Sequence, residues 1–279
     1  MTNNNSFRNP TLSAKIGMVL LSVFIFCAIF APIIAPFGEA ESVGKTWLGP
    51  SSKFWLGTDN IGRDMLSRVI FGARMTLGVA AICTCLSFLI GVTMGLLAAV
   101  AGKIFDQVLS RFVDLMLSIP ILVFALMILS MFGSSLPTLI ITIGILDSFR
   151  VFRLARAIAV DVVVKEFVEV ARLRGEGYWW IMRHEVLPNS LPPMIAELGL
   201  RFCFNFLFVA SLSFLGIGIQ PPFADWGGMV RESGRAISFG IAAPLWPALA
   251  IGLTTISVNM IVDWILSINA RPSGASAEM

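Results

Sequence analysis

The ionisable side chains of this sequence are gathered in a few places, and the densest is the segment from residue 150 to 189. This segment, here called the charged island, holds seven of the twenty lysines and arginines, five carboxylates and the only histidine, His184. No serine-centred nucleophile motif, paired aspartates or His-Glu-x-x-His sequence accompanies them, so a catalytic set is not indicated. The island is therefore predicted to bind a soluble partner.

Apolar residues within the island recur with a helical period. Those at i, i+3, i+4 and i+7 share one face: Val164, Phe167, Val168 and Ala171. Gly175 and Gly177 are predicted to end this helix and to allow a sharp turn into a second short helix, which Pro188 ends. An amphipathic hairpin lying on the membrane surface without a partner is the alternative interpretation.

Three further ionisable residues lie within otherwise apolar runs: Glu197, Arg201 and Asp263. Charged side chains inside a membrane are costly and often functional. Glu197 and Arg201 are four residues apart, so a self-satisfied ion pair on one helix and a lining of a substrate path both remain open. Asp263 is near the end of its run, where it could reach the membrane interface.

A third group lies between residues 56 and 68. Asp59 is predicted to be a helix N-cap, and Asp64 and Arg68 have the i,i+4 spacing of an ion pair. The apolar residues that follow share one face: Met65, Leu66, Val69 and Ile70. The pattern predicts a short helix lying along the outer membrane surface, with or without a ligand.

Membrane helices must position these groups, because the composition is that of an integral membrane protein. Hydrophobic residues make up 57% and charged residues 13% of the chain, whereas about a quarter of the residues of soluble proteins are charged. Basic residues cluster beside apolar runs and no nucleic-acid-reading pattern occurs, so no nucleic-acid partner is expected. The cysteines have no metal-ligand spacing, and no metal site is predicted.

Six membrane-spanning helices are predicted. The first apolar run exceeds the roughly 7–15 residues of a signal-peptide core, which favours a span, and Gly91 and Gly95 suit close helix packing in the second. The predicted spans are residues 16–38, 75–102, 115–132, 138–152, 191–219 and 236–268.

The uncharged stretch from residue 115 to 146 is predicted to be two spans. As one helix it would measure roughly 48 Å, more than the ~30 Å hydrocarbon core, and the segment 133–137 contains Gly, Ser and Pro as a break. The split leaves the island and both termini on the cytoplasmic side, where lysine and arginine are retained. The chain is divided into residues 1–74 (tail, first span and outer loop), a five-helix core of residues 75–270, and a tail of residues 271–279.

Three ordered stretches resemble one family. Glu169-x-Ala171-x-x-x-Gly175, closed by Leu187-Pro188, resembles the "EAA" cytoplasmic loop of importer permeases of the ATP-binding cassette (ABC) superfamily. The stretches 56–68, 213–222 and 226–227 are similar to the C-type permeases of the dipeptide, oligopeptide and nickel group. Two positions depart from the loop pattern, Val170 in place of an alanine and Glu185 in place of an apolar residue.

The resemblance implies an all-α, polytopic protein of the bacterial cytoplasmic (inner) membrane, with six transmembrane helices and the type I ABC importer permease fold. The residues it implies for contact with an ATPase are Glu169, Ala171, Gly175, His184, Leu187 and Pro188. His184 is otherwise interpreted as a polar residue that ends a helix. The outer-loop motif comprises Asp59, Gly62, Arg63, Asp64 and Arg68. Glu197, Arg201 and Asp263 are the residues expected along the translocation path.

The function implied is that of a non-catalytic permease subunit of a peptide importer, with a nickel, metal-chelate or other small-solute importer as the alternative. The chain has no Walker-type phosphate-binding loop, so ATP and Mg²⁺ are expected on separate subunits. The expected partners are a paralogous permease, two ABC ATPases, an extracytoplasmic binding protein and membrane lipid. A self-sufficient secondary transporter or channel would need ion-binding carboxylates or an inverted repeat, which the sequence does not indicate.

Overall fold

The computed structural model describes residues 10–269, and within that range the chain is built from helices, with a long loop of residues 35–64 between the first two. The predicted tail of residues 271–279 lies outside the described residues. A π-helix (Met182–Val186) and a 3₁₀ helix (Gly234–Phe239) accompany the α-helices. The α-helices are α1 (Leu12–Ile34), α2 (Met65–Val100), α3 (Lys103–Leu117), α4 (Ile121–Phe132), α5 (Leu136–Val163), α6 (Glu166–Leu173), α7 (Tyr178–Ile181), α8 (Leu187–Phe214), α9 (Trp226–Ser233) and α10 (Leu245–Asn269).

The long helix α2 is the centre of the fold. Its 36 residues measure roughly 54 Å at 1.5 Å per residue, and it packs against α5 in the most extensive helix pair of the described chain. A Cβ atom at Gly91 would lie 2.6 Å from the carbonyl oxygen of Ser148, and one at Gly95 would lie 2.8 Å from that of Phe152. The predicted close packing at these two glycines is confirmed.

Four helical segments between residues 10 and 269 are long and apolar enough to cross a membrane: Leu12–Ile34, Met65–Val100, Tyr178–Phe214 and Leu245–Ile268. The helices α3 and α4 would together form a fifth, bent by 85° at its break. Helix α5 is not among these candidates, and it carries Asp147, Arg150 and Arg153 along its middle. The structure therefore has four or five candidate spans, where the sequence predicted six.

The predicted surface helix after residue 59 and the predicted span from residue 75 are one continuous helix, α2. Asp64 caps this helix by accepting a hydrogen bond from the backbone N–H of Ser67 at 2.8 Å. Gly72 lies within this helix, at the position where the indole of Trp226 would be 2.6 Å from an added Cβ. The separate surface helix was a wrong prediction, since no helix-breaking residue lies between the two parts.

The predicted break between the third and fourth spans is confirmed. Helix α4 ends at Phe132, Gly133 has a φ of +81°, and Ser135 caps α5. A second break was missed: α3 ends at Leu117 and Pro120 precedes α4, which makes the 85° bend within the predicted third span. Proline restricts the residue before it to extended conformations, so the helix cannot run through this position unchanged.

The prediction that Pro188 ends the second helix of the island was wrong. Helix α7, the π-helix and α8 are continuous as the segment Tyr178–Phe214. The wider π-turn lies immediately before the proline, and the side chains of the two residues after the proline donate to carbonyls one turn earlier. Asn189 donates to the carbonyl of Glu185 at 2.7 Å, and Ser190 donates to that of Val186 at 2.8 Å.

The contact between α2 and α5 can be tested with a matched pair of substitutions. Gly91→Ala is expected to lower the free energy of unfolding by about 1–3 kcal/mol, because the new methyl group overlaps the α5 backbone. Gly78→Ala on the same helix meets no heavy atom within 4 Å and should leave stability unchanged or slightly raised. Thermal unfolding of the purified protein in detergent measures both. Equal melting temperatures for the two variants would contradict the packing described here.

Candidate functional site

The island folds into an elbow at one end of α2. Val168 and Ala171 of α6 are fully buried and belong to the core cluster that contains Leu96 and Val100 from the end of α2. Val164 is 80% exposed and Phe167 is 37% exposed, although the helical period placed them on the same face. Helix α6 has only eight residues, so it buries a narrow strip of that face.

A glycine closes α6 as predicted. Gly175 has a φ of +82°, and its N–H donates to the carbonyl of Arg172 at 2.9 Å, while the N–H of Glu176 donates to that of Ala171 at 3.2 Å. These two hydrogen bonds form a Schellman motif, in which the left-handed residue is normally glycine. The turn into α7 is thus fixed by the backbone itself.

Stacked side chains lie beside this turn. The His184 ring stacks on Trp180 with centroids 4.7 Å apart, and its Nδ1 is 3.1 Å from the carbonyl oxygen of Trp180. The guanidinium carbon of Arg174 is 5.6 Å from the same indole, and its Nη2 is 3.8 Å from Glu185. Glu185, one departure from the loop motif, therefore has a cationic neighbour within the island.

The structure exposes four of the six residues assigned to an ATPase contact. The exposed residues are Glu169, Gly175, His184 and Pro188. Leu187 is half-buried and Ala171 is fully buried, so the alanine supports the elbow from inside. Val170, the other departure from the motif, is 52% exposed and points away from the core. We call the four exposed residues the elbow surface.

At the opposite end of α2, the outer-loop motif forms a buried group of four charges. Asp59 is fully buried and accepts from Arg63 Nε and Arg68 Nη1, each at 2.6 Å. Glu232 of α9 accepts from Arg63 Nη2 at 2.7 Å and from Arg68 Nη1 at 2.8 Å. We call these four residues the four-charge network. Two cations face two carboxylates, so the group is neutral overall.

The local predictions for this motif were partly wrong. Asp59 does not cap a helix, and Arg68 pairs with Asp59 and Glu232, not with Asp64. Gly62 has a φ of +81° and a Cβ there would meet the carbonyl oxygen of Gly44 at 2.1 Å; the turn it makes returns Asp59 towards the arginines. No signal in the stretch 56–68 indicated Glu232, because its two arginines are already matched in number by Asp59 and Asp64.

Helix α9 is fixed onto α2 through its first residue. The indole Nε1 of Trp226 donates to the carbonyl of Val69 at 2.8 Å, and its backbone N–H donates to Thr76 Oγ1 at 3.1 Å. Asp225 caps α9 by accepting from the N–H of Gly228 at 2.9 Å. Burial raises the pKa of Asp225 to about 6, and the hydrogen bond from Gly228 opposes that rise. The motif Trp226-Gly227 thus has a structural role.

A polar cluster lies midway along α2, α5 and α8. Arg201 Nε donates to Glu197 Oε1 at 2.6 Å, which confirms the i,i+4 pair. Arg201 Nη1 is 3.4 Å from Asp147 Oδ1, and Asn205 Nδ2 donates to Asp147 Oδ2 at 3.0 Å and to Thr84 Oγ1 at 3.1 Å. Asp147 is fully buried. We call these five residues the mid-span cluster.

Asp147 lies within the predicted fourth span of residues 138–152, but it was not among the candidate residues because it directly follows the uncharged stretch of residues 115–146. The structure extends α5 to Val163, so Asp147 and Arg150 lie within this helix instead of at its end. Asp263 is exposed on α10 and forms no hydrogen bond or ion pair with residues 10–269. The structure does not bring Asp263 into the mid-span cluster.

Comparison with known proteins assigns the fold and the family. Residues 91–271 match the family described as the binding-protein-dependent transport system inner membrane component. A solved structure titled "Crystal structure of an amino acid ABC transporter with histidines" superposes with a TM-score of 0.54 at 21% identity, covering 71% of this chain and 92% of that chain. At this identity the likeness concerns the fold alone.

Curated relatives align over nearly the whole chain. The dipeptide transport system permease protein DppC of Alkalihalophilus pseudofirmus is 36% identical, with 90% of this chain and 83% of the relative covered. The di/tripeptide permease protein DppC of Pseudomonas aeruginosa is 34% identical, covering 88% and 84%. The glutathione permease protein GsiD of Pectobacterium atrosepticum is 31% identical, covering 92% and 86%. The chain therefore belongs to the inner membrane components of binding-protein-dependent transport systems, the permease subunits of ABC importers.

Proposed function

We propose that this protein forms half of the path by which an ATP-driven importer carries di- and oligopeptides across the bacterial cytoplasmic membrane. The observation that carries the substrate class is that relatives named for dipeptides and di/tripeptides align over about nine-tenths of the chain. The chain has no phosphate-binding Walker loop, so two separate ABC ATPases would bind ATP and Mg²⁺. A paralogous permease would complete the path.

Six spans remain the topology we propose, with α5 as the fourth and the α3–α4 pair as the third. Helix α5 lies against α2 at Gly91 and Gly95, and its 28 residues measure roughly 42 Å, enough to cross a bilayer. Its buried acid, Asp147, is hydrogen-bonded within the protein, which reduces the cost of placing it in a membrane. Six spans put both termini and the charged island in the cytoplasm.

The elbow surface is the ATPase contact in this proposal. Its backbone is held by the Schellman motif at Gly175, and the buried side of α6 packs in one core cluster with α2, α5 and the start of α8. A displacement of the elbow by an ATPase would therefore be transmitted to α2, α5 and α8, the three helices that carry the mid-span cluster. Rocking of the spans would then open the path alternately to each side.

At the other end of α2 we place the docking site for an extracytoplasmic binding protein. The four-charge network fixes the loop of residues 57–64 against α9, so the outer loops present a defined surface. Glu197, Arg201 and Asp263 remain proposed residues of the translocation path. Of these, Glu197 and Arg201 have side chains that are 17% and 22% exposed, which leaves them accessible from one side.

The substrate class is tested by uptake. Membrane vesicles containing the complete complex should import radiolabelled dialanine only when ATP and the binding protein are both supplied. Nickel or a nickel chelate, offered under the same conditions, should not be imported. If nickel is imported and dialanine is not, the complex is a metal importer. If this chain alone imports a substrate without ATP, it is a self-sufficient secondary transporter.

The elbow is tested by charge reversal on its exposed side. Glu169→Lys is expected to leave the protein in the membrane but to lower dialanine uptake per ATP hydrolysed about tenfold, because the contact with the ATPase loses an exposed carboxylate. Gly175→Pro should do the same, since proline cannot adopt a φ of +82°. Glu166→Lys, an exposed position one turn earlier, is the control. Undiminished dialanine uptake per ATP hydrolysed in Glu169→Lys would count against the coupling role.

The four-charge network is tested by neutralising its buried member. Asp59→Asn keeps the shape of the side chain but leaves Arg63 and Arg68 with Glu232 alone, so the free energy of unfolding should fall by about 3–5 kcal/mol. Lys53→Gln, an exposed change in the same loop, should have little effect. Melting curves of the purified protein compare the two. A stable Asp59→Asn variant would show that the network contributes little.

A further inference from the structure

Arg150 lies beside the mid-span cluster but is not neutralised by it. It is half-buried, and its guanidinium carbon is 4.5 Å from the centre of the Phe204 ring. The guanidinium carbon of Arg201 is 5.8 Å from the same ring. A cation over an aromatic face is attracted by the ring quadrupole, so Phe204 holds two guanidinium groups near one another.

The carboxylates of the cluster are already occupied. Glu197 accepts from Arg201 at 2.6 Å, and Asp147 lies against Arg201 and accepts from Asn205. Arg150 forms no ion pair with any residue between 10 and 269. Within that range, its guanidinium group interacts with the ring of Phe204. An arginine so placed in a membrane-spanning protein calls for an anion from outside this chain, because an unpaired charge at this depth is costly.

The depth of Arg150 argues against a lipid phosphate as that anion. Arg150 and Arg201 each lie near the middle of a 28-residue helix, α5 and α8 respectively. Lipid headgroups lie at the two surfaces of a ~30 Å hydrocarbon core, whereas Arg150 lies between Ser148 and Phe152, whose carbonyl oxygens face Gly91 and Gly95 inside α2. A transported solute passes this level.

We propose that Arg150 binds the carboxylate of the peptide as it crosses the path, and that Asp147 and Phe204 position the pair of arginines that form this subsite. This inference rests on the proposed function as a peptide permease. The planar guanidinium can donate two parallel hydrogen bonds to a carboxylate. Asp147 acts indirectly, by holding Arg201 while Arg150 stays free. The carboxylate is bound only in passing, since Phe204 supports the guanidinium when no peptide is present.

The test compares import of dialanine with import of its C-terminal amide by proteoliposomes that contain the complete complex. The binding protein is the same throughout and is supplied at saturation, so differences between variants arise in the permease. The variants are Arg150→Gln and Arg150→Lys, with Arg153→Gln as the matched control. Arg153 is an exposed arginine of the same helix with no contact to Phe204 or to the cluster.

Arg150→Gln should lower the maximal rate of dialanine import about tenfold, leave its KM unchanged and leave import of the amide as in the wild type, because only the acid loses a charge-assisted contact. Arg150→Lys should retain most of the rate, and Arg153→Gln all of it. Undiminished dialanine import in Arg150→Gln would overturn the proposal. An equal fractional loss in the import rates of dialanine and its amide would also overturn it. That result would indicate that Arg150 pairs with a carboxylate of another subunit. A wild-type complex that imports neither compound would instead refute the peptide function itself.

Discussion

The close approach of α2 and α5 is the contact on which the other features depend. In a membrane, helices gain little from removing apolar surface from water, so association relies on van der Waals packing between closely spaced backbones. Gly91 and Gly95 allow this approach because α2 contributes no side chain at these two positions, where the backbone of α5 and the side chains of Val151 and Ala155 lie against it. Since α2 runs the length of the fold, the same contact aligns the four-charge network at one end, the mid-span cluster in the middle and the elbow at the other.

Charge in this protein is managed by pairing within small groups. Asp59 and Glu232 neutralise two arginines in the loop end of the fold, and Glu197 and Asp147 surround Arg201 in the middle. Each group joins elements that are distant in sequence, so it also fixes their relative positions. Buried ion pairs often add little net stability compared with apolar packing, but a broken pair is costly. Such groups are therefore well suited to maintaining one arrangement of helices while the whole subunit moves.

The elbow combines a rigid backbone with an exposed surface. The Schellman hydrogen bonds fix the turn at Gly175, and Ala171 and Val168 bury the inner side of α6. The continuous segment through the π-helix joins this turn directly to α8, which carries Arg201 and Asn205. A force applied at the elbow thus reaches the mid-span cluster along a helix instead of through a flexible loop. The π-turn lies immediately before Pro188, and the helical segment continues through both into α8.

The sequence by itself determined the features that depend on neighbouring residues: the membrane class, the break at Gly133, the glycine turn at Gly175, the pair of Glu197 with Arg201, and the family. Each follows from composition, backbone conformation or helical spacing. Only the tertiary structure decided that Asp59 faces Glu232, that Asp147 holds Arg201 and that Arg150 is left with Phe204. These contacts join residues far apart in the chain, and local pattern carries no information about which charges the packing of helices brings together.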